Sequence, residues 1–406
     1  MRRLRISRED SWIVSYVMIT ATSFITCFTL QMICTGIPIY CVDIGKSTAE
    51  AGIFAGFYSV AVIATGLFAG RMVDTRGKWN MACLGLGLLC LSIIGKAFLP
   101  IFSLFVLYQV VQGIGFSISS TAQSAMVLDT LSNNRIVRGI GYYSVIKSLS
   151  YSLGSSAAVA LSERFGTDRF FLYTLFIVLV AVILNVMLEM PFFKRRFPVI
   201  IEKSDTKVIT AKDLPQYHGI DKFIEVKALP ICLIQFIFTF SLTLTTSYLA
   251  SYTKSIGLMG ISIYFTTNAM TMLAVRMFFS KKIEKLGNLK TCVIGLILAC
   301  LSTVGILFAR SAFAFALLAI PNAIGISFVN PTINALSTSN VPSSRRGVAS
   351  STYALALDIG SGVGGMLWGI LIPSIGYRYA FLSSAILLLA DLVLGYRIIY
   401  GTINKE

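Results

Sequence analysis

The sequence predicts an all-α polytopic membrane protein, with twelve transmembrane helices in two pseudo-symmetric six-helix bundles. Three observations carry that expectation. First, 56% of the 406 residues are apolar and only 13% are charged, about half the charged share of a soluble domain. The mean hydropathy is +0.79. So few charges would not cover a water-exposed globule of this size. Second, apolar runs long enough to cross a bilayer, about 20 residues each, recur along the whole chain. Third, four short motifs of the first half return in the second at nearly one offset.

The apolar runs fall at 12–36, 51–70, 79–98, 101–128, 139–161, 169–190, 229–252, 260–279, 291–309, 312–336, 347–373 and 378–400. Arg2, Arg3, Arg5 and Arg8 precede the first run. It is too long for a signal peptide, so a retained first helix is expected. Short turns join most runs. The exception is 191–228, which is polar, basic and interrupted by Pro191, Pro198 and Pro215. The expected organisation is an N-terminal bundle over 1–190, a cytoplasmic central loop over 191–228 and a C-terminal bundle over 229–406.

Lysine and arginine positions set the orientation. With the N-terminus in the cytoplasm, inner segments hold 26 of the 34 basic residues and outer turns hold seven, Lys46, Lys96, Arg164, Arg169, Lys254, Arg310 and Arg378. Lys147 is the remaining one, within a span. Both termini are therefore expected in the cytoplasm and the protein in the inner (cytoplasmic) membrane. The net charge of +16 then orients the chain and contacts anionic lipid; it does not mark a nucleic-acid site. The eight cysteines lie mostly in apolar runs without CxxC spacing, and the single histidine, His218, is in the polar segment. Neither a metal site nor a disulfide framework is expected; the cysteines pack as small hydrophobes.

The repeat is explicit. Gln112-Gly-Ile-Gly115 corresponds to Asn322-Ala-Ile-Gly325, Asp74-Thr-Arg-Gly77 to Glu284-Lys-Leu-Gly287, and Gly166 to Gly376, all at an offset of 210. Arg138-Gly-Ile-Gly141 corresponds to Arg346-Gly-Val-Ala349 at 208. Like-facing bundles related by an axis along the membrane normal are one of the known transporter plans.

Gly70-Arg-Met-Val-Asp74-Thr-Arg-Gly77-Lys78 resembles the signature Gly-x-x-x-Asp-x-x-Gly-Arg/Lys that the major facilitator superfamily carries between helices 2 and 3. A weaker echo, Arg276 to Gly287, lies between helices 8 and 9. Gln112-Gly-x-Gly115 resembles part of the helix-4 motif. Arg138-Gly-Ile-Gly-Tyr-Tyr143 and Phe223-Ile-Glu-Val-Lys-Ala-Leu-Pro230 resemble a bacterial efflux-like branch. The chain departs from the pattern at Gln109, where the family usually has arginine, at Gly154-Ser155-Ser156, where drug/proton antiporters show Gly-Pro, and at Gly66, opposite Arg276 in the repeat.

The resemblance implies a conformational latch, holding the outward-facing state, made of Gly70, Arg71, Asp74, Arg76, Gly77 and Lys78 with Glu284 and Gly287. The residues suit it. Asp74 is an acid among cations and can accept charge-assisted hydrogen bonds. Gly77 permits positive φ in a short turn, and Gly70 permits close helix approach. A basic loop that only fixes topology is the plainer alternative.

The resemblance also implies that spans 1, 4, 7 and 10 line the substrate cavity. Span 1 carries Thr26, Thr29 and Gln31; span 4 carries Gln112, Ser119, Ser120 and Gln123. Span 7 carries Gln235, Thr239 and Thr243; span 10 carries Asn322, Asn330 and Asn334 around Pro331, which is expected to break the helix. In spans 4, 7 and 10 many of these recur at three- or four-residue steps, on one helix face. Polar groups facing lipid are costly, so the faces look inward, to a substrate path or to interhelical hydrogen bonds.

Deep charges are few. Asp358 in span 11 is a candidate proton carrier or a fixed hydrogen-bond acceptor. Lys147 either binds an anionic substrate group or snorkels toward the cytoplasm. Asp391 is expected to be structural. The deep parts of spans 1, 4, 7 and 10 hold no carboxylate, which favours a neutral or amphipathic cargo.

The expected function is a secondary active transporter that moves a small organic molecule by alternating access, the bundles rocking around a mid-membrane site. No phosphate-loop motif points to ATP, so the energy source is expected to be a proton gradient, and by resemblance the direction is export by antiport. A proton-coupled uptake symporter, a facilitator, or a transport-inactive sensor or partner subunit stay open. No nucleophile–base pair suggests an enzyme, and no cofactor is implied. The expected partners are a small-molecule substrate, protons and membrane lipids, with the protein a monomer.

Overall fold

The computed structural model describes residues 11–131, 136–167, 169–189, 224–279, 286–339, 341 and 345–403; these are helices and short turns. The central loop lies outside them. The first half contains α1 (Ser11–Asp43), α2 (Thr48–Arg76), α3 (Lys78–Phe98), α4 (Phe105–Asp129), α5 (Ile136–Phe165) and α6 (Phe170–Glu189). In the second half, α7 runs over Leu229–Thr243, a π-helical turn at Leu244–Tyr248, and Leu249–Ser255. The next, α8, is Ser262–Ala274 followed by a π turn, Val275–Phe279. Then come α9 (Asn288–Ile306) and α10 (Ala312–Ser339). The last helical stretch, Arg346–Ile403, is broken at Gly376, where φ is 78°, into α11 (346–375) and α12 (377–403).

Among the described residues nine helical stretches are long and apolar enough to cross a membrane, the last of them containing both α11 and α12. Helices α5 and α8 fall outside that set. Seven serines and Lys147 dilute α5, and α8 is short. Several helices overrun their apolar runs, α1 to Asp43 and α10 to Ser339, because a helix can continue past the hydrocarbon layer into the headgroup region. One expectation fails here. Pro331 does not break span 10; α10 continues through both Pro321 and Pro331. Membrane helices tolerate proline because neighbours and local adjustment re-satisfy the freed carbonyl.

The chain forms two compact units. The first is drawn from 1–33, 60–154 and 168–208, the second from 34–59, 155–167 and 209–406. The division runs through α1, α2 and α5. Residues 11–33 of α1, 60–76 of α2 and 136–154 of α5 belong to the first unit. The remaining parts of these helices, their far ends, pack in the second, where Ile39 and Val159 share an apolar cluster with Tyr248, Trp368 and Phe381.

The repeat is built into the packing of each unit. In the first, α3 and α4 cross at glycines: a Cβ on Gly115 would lie 2.7 Å from Gly85 O and 2.8 Å from Leu89 N. Ser92 Oγ donates to Tyr108 O at 2.9 Å beside this crossing. In the second, α9 and α10 do the same. A Cβ on Gly325 would lie 2.8 Å from Gly295 O, and Ser302 Oγ donates to Leu318 O at 2.8 Å. Each pair is related by 210 residues. The turns match too: Gly77 at φ 91° and Gly287 at φ 77° precede α3 and α9.

Close approach was expected at Gly70, but a Cβ there would meet nothing within 4 Å. This contrast gives a test. Gly115→Ala pushes a methyl against backbone atoms that cannot yield and should cost about 1–3 kcal/mol. Gly70→Ala should be neutral or slightly stabilising, since it removes helix-interior glycine entropy. Thermal unfolding in detergent measures both, and equal melting temperatures would show that the crossing is not a packing constraint.

Candidate functional site

In the first unit the polar residues of α1 and α4 meet each other and α5. Gln123 Nε2 donates to Thr26 Oγ1 at 3.1 Å. Tyr143 OH of α5 donates to Ser23 Oγ at 3.1 Å and pairs with Ser124 Oγ at 3.2 Å. Lys147 Nζ donates to Ser120 Oγ at 3.3 Å and stands 5.6 Å from the centre of the Tyr143 ring. Ser119 is set apart: it is buried at the α3–α4 crossing and donates back to Phe116 O of its own helix. Thr29 Oγ1 is buried without a hydrogen-bond partner among the described residues. Gln31 lies where α1 meets α5, its Cβ 3.1 Å from the position a Cβ on Gly154 would take.

Gln112 has a partner that the sequence did not suggest. Lys96 was expected in an outer turn, yet it lies within α3 and is 1% exposed. Its ammonium donates to Gln109 Oε1 at 2.7 Å and to Gln112 Oε1. A lysine one turn from a helix end usually points toward water; here two amides one turn apart on α4 draw it inward. The available signal was that spacing, Gln109 and Gln112 on one face. The side-chain nitrogen of Gln112 stays buried without a partner among the described residues.

In the second unit Gln235 Nε2 donates to Thr239 Oγ1 at 2.8 Å and to Asn330 Oδ1 at 3.0 Å. Tyr353 OH of α11 donates to Asn330 O at 3.1 Å. Gln235 Oε1 is buried and lacks a partner among the described residues. Thr243 is buried and donates to Thr239 O of its own helix at 2.7 Å. Asn322 accepts from Asn268 Nδ2 at 3.1 Å, so it bonds across to α8. Asn334 is half-buried, and its carbonyl accepts from Ser337 and Thr338. Asp358 is half-buried in α11; two residues on, a Cβ on Gly360 would lie 2.7 Å from Phe236 O of α7. Asp391 is fully buried in α12.

Of the proposed latch, Lys78 forms a two-pronged ion pair with Asp129 at the end of α4, at 2.6 and 2.7 Å. Arg71 and Arg76 are exposed. The side chains of Asp74 and Glu284 lie outside the described residues.

A further set, not anticipated from sequence, joins the far ends of α1, α2 and α5 to the C-terminal helices inside the second unit. Lys254 is ion-paired with Asp43. Glu163 Oε1 accepts from Gly260 N at 2.9 Å, Ser156 and Thr266 share a 2.5 Å hydrogen bond, and Thr35 Oγ1 donates to Thr246 O at 3.2 Å. A Cβ on Gly52 would lie 2.9 Å from Gly369 Cα.

A helical, repeat-built membrane chain whose buried side chains form hydroxyl and amide clusters defines a polytopic transporter. The chain belongs to the Major Facilitator Superfamily, whose sequence profile matches residues 19–259 and 231–402. It is 24% identical over 408 residues to an uncharacterised MFS-type transporter, YhhS, of Escherichia coli (strain K12), covering 95% of this chain and 92% of that protein. It is 21% identical over 368 residues to the staphylopine export protein of Staphylococcus aureus (strain Mu50), covering 89% and 90%. The fold matches a POT family transporter solved in complex with 5-aminolevulinic acid, with a TM-score of 0.72, 16% identity and 95% of each chain covered.

The Lys96 site yields a stability prediction. Lys96→Met removes a buried donor from two amide oxygens and should destabilise by about 1–3 kcal/mol. Adding Gln109→Leu and Gln112→Leu removes those acceptors as well, and the triple variant should recover part of the loss. Denaturation midpoints in detergent report both; a triple variant less stable than Lys96→Met would contradict the assignment.

Proposed function

We propose that the protein is a secondary active transporter that exports a small organic molecule across the cytoplasmic membrane by alternating access, driven by proton antiport. The observation that carries this reading is the set of contacts at the far ends of α1, α2 and α5, drawn into one compact unit with the C-terminal helices. On the orientation that lysine and arginine favour, those ends face outward. Such a seal suits a carrier waiting to load cargo from the cytoplasm.

In this reading the bundles over 1–190 and 229–406 are the moving bodies. The polar clusters around Gln123 and Lys147, and around Gln235 and Asn330, hold the cargo. The turn over 70–78, with 284–287, latches the opposite state. Asp358, half-buried in α11, carries the proton. Export is supported by the relative whose name states that direction.

Two measurements test the proposal. In a cysteine-free background, Asp43→Cys with Lys254→Cys, joined by a short reducible cross-linker, should lower flux from proteoliposomes at least about tenfold, and reductant should restore it; undiminished flux through the cross-linked protein would sink alternating access. Under an imposed pH gradient, with a bacterial small-molecule extract as cargo, Asp358→Asn should abolish accumulation while leaving exchange intact. Normal accumulation by that variant would remove Asp358 from the coupling path.

A further inference from the structure

Helices α9 and α12 pack side by side in the second unit. Cys300 Sγ donates to Ala385 O at 3.7 Å, and a Cβ on Gly395 would lie 3.4 Å from Leu296 Cδ1. Their inner faces share an apolar cluster that holds Leu296, Leu388 and Ile399. Their outer faces are exposed and equally apolar, with Ile294, Ile297 and Leu301 on α9 and Ile386, Leu389 and Val393 on α12. Steps of three and four residues put each set on one stripe, and on a spanning helix such a stripe faces lipid. A groove of about 260 Å³ lies between the two helices, lined by Val293, Leu392, Val393, Tyr396 and Arg397.

The two helices run antiparallel, so the start of α9 and the finish of α12 lie at one end of the groove. Arg397 lines the groove itself, and Lys290 stands one turn before Val293 and Ile294 on the same face of α9. Both cations are exposed, and neither makes an ion pair among the described residues. Tyr396 and Tyr400 stack on α12 with ring centres 5.8 Å apart, and such amphipathic rings sit at headgroup level. On the orientation that lysine and arginine favour, this end faces the cytoplasmic leaflet. An apolar groove in a lipid-facing surface fills with hydrocarbon, and the cations at its mouth then choose the headgroup. We infer that α9 and α12 form a binding site for one anionic phospholipid, with an acyl chain in the groove and the phosphate held by Lys290 and Arg397. Arginine suits that role because its planar fork matches phosphate oxygens. A zwitterionic headgroup carries its own cation to the same place and gains less. The site stands on the membrane fold alone, whatever the cargo, and is more than the diffuse attraction of a basic surface because one chain and one headgroup fill it.

The test uses the full-length protein in detergent micelles. It is titrated with phosphatidylglycerol or with phosphatidylcholine of the same acyl chains, and native mass spectrometry counts the bound lipid. The first phosphatidylglycerol should bind at least about tenfold more tightly than the first phosphatidylcholine, each cation adding its attraction to the anionic headgroup. Lys290→Gln with Arg397→Gln should erase that preference. Arg378→Gln, which removes an exposed cation at the opposite end of α12, should keep it. Val293→Trp, which fills the groove, should weaken both lipids. Excess glycerol 3-phosphate, with the charge but no chain, should displace neither. Equal affinity for the two lipids, a preference that survives in the double variant, unchanged binding by Val293→Trp, or displacement by glycerol 3-phosphate overturns the inference. If the double variant does not fold, the wild-type preference and the Val293→Trp result decide the matter.

Discussion

Inside a bilayer a polar group has only the protein to bond to. That constraint shapes every level of this structure. It makes the described backbone helical. It turns isolated hydroxyls back onto their own helices, as Thr174 onto Phe170 O at 2.8 Å and Thr303 onto Ala299 O at 3.0 Å. It gathers longer side chains into shared clusters. The exceptions are then informative. Among the described residues Gln112 Nε2, Gln235 Oε1 and Asn322 Nδ2 are buried without partners. They lie on α4, α7 and α10, three of the four helices whose polar faces stood out in the sequence. Gln112 and Asn322 occupy the same place in the repeat. An amide left half-satisfied in both copies is a donor held ready, and a ligand or an alternative conformation can use it.

The two copies share their packing and differ in their chemistry. The glycine crossings of α3 with α4 and of α9 with α10 agree almost atom for atom, down to the serine that bonds across each. The polar partners do not. Gln112 is bonded by a lysine, Asn322 by Asn268, and the position 210 residues after Lys96 is Ile306. The ionisable residues within the spans also differ between the copies, with Arg276 in the second unit. Lys96 and Lys147 stand in the first unit, Asp358 and Asp391 in the second. Packing fixes a helix pair through its backbone approach, so it tolerates little change. Side chains facing a polar interior are freer to diverge, and in a repeat protein that freedom lets two like scaffolds acquire different polar and charged groups.

Much of this was legible in the amino-acid order because hydropathy, helix period and repeat spacing are local signals. The spans, the repeat, the positive-φ turn at Gly77 and the polar faces of α4 and α7 all follow from them. What escaped was set by partners far away in sequence. Lys78 meets Asp129 across 51 residues, and Lys254 meets Asp43 across 211. Lys96 looked like an interfacial lysine because its amide partners are on another helix. Pro331 looked like a break because a lone helix would break there, and α10 is not alone. The π turn at Leu244–Tyr248 contains neither glycine nor proline, so its cause is packing: Tyr248 is fully buried and donates to Gly365 O at 2.6 Å.

The kinds of contact also separate fixed from movable parts, on the alternating-access reading. At Gly85 and Gly115 backbone meets backbone in a buried crossing, and parting those helices would expose peptide groups to lipid. The far end mixes two kinds of contact: α2 and α11 also meet backbone to backbone, at Gly52 and Gly369, but the side-chain contacts beside them are polar. The Lys254–Asp43 pair is half open to its surroundings, with side-chain exposures of 50% and 20%. Exposed ion pairs of this kind contribute about 0–1 kcal/mol, and single neutral hydrogen bonds about 0.5–1.5 kcal/mol. Four such contacts sum to a few kcal/mol. Inverting a two-state equilibrium from 1:99 to 99:1 takes about 5.5 kcal/mol, a comparable figure. On that reading these polar contacts can be exchanged at a cost that cargo or a proton could meet, while the Gly52–Gly369 approach and the apolar cluster around Tyr248 and Trp368 add to the barrier.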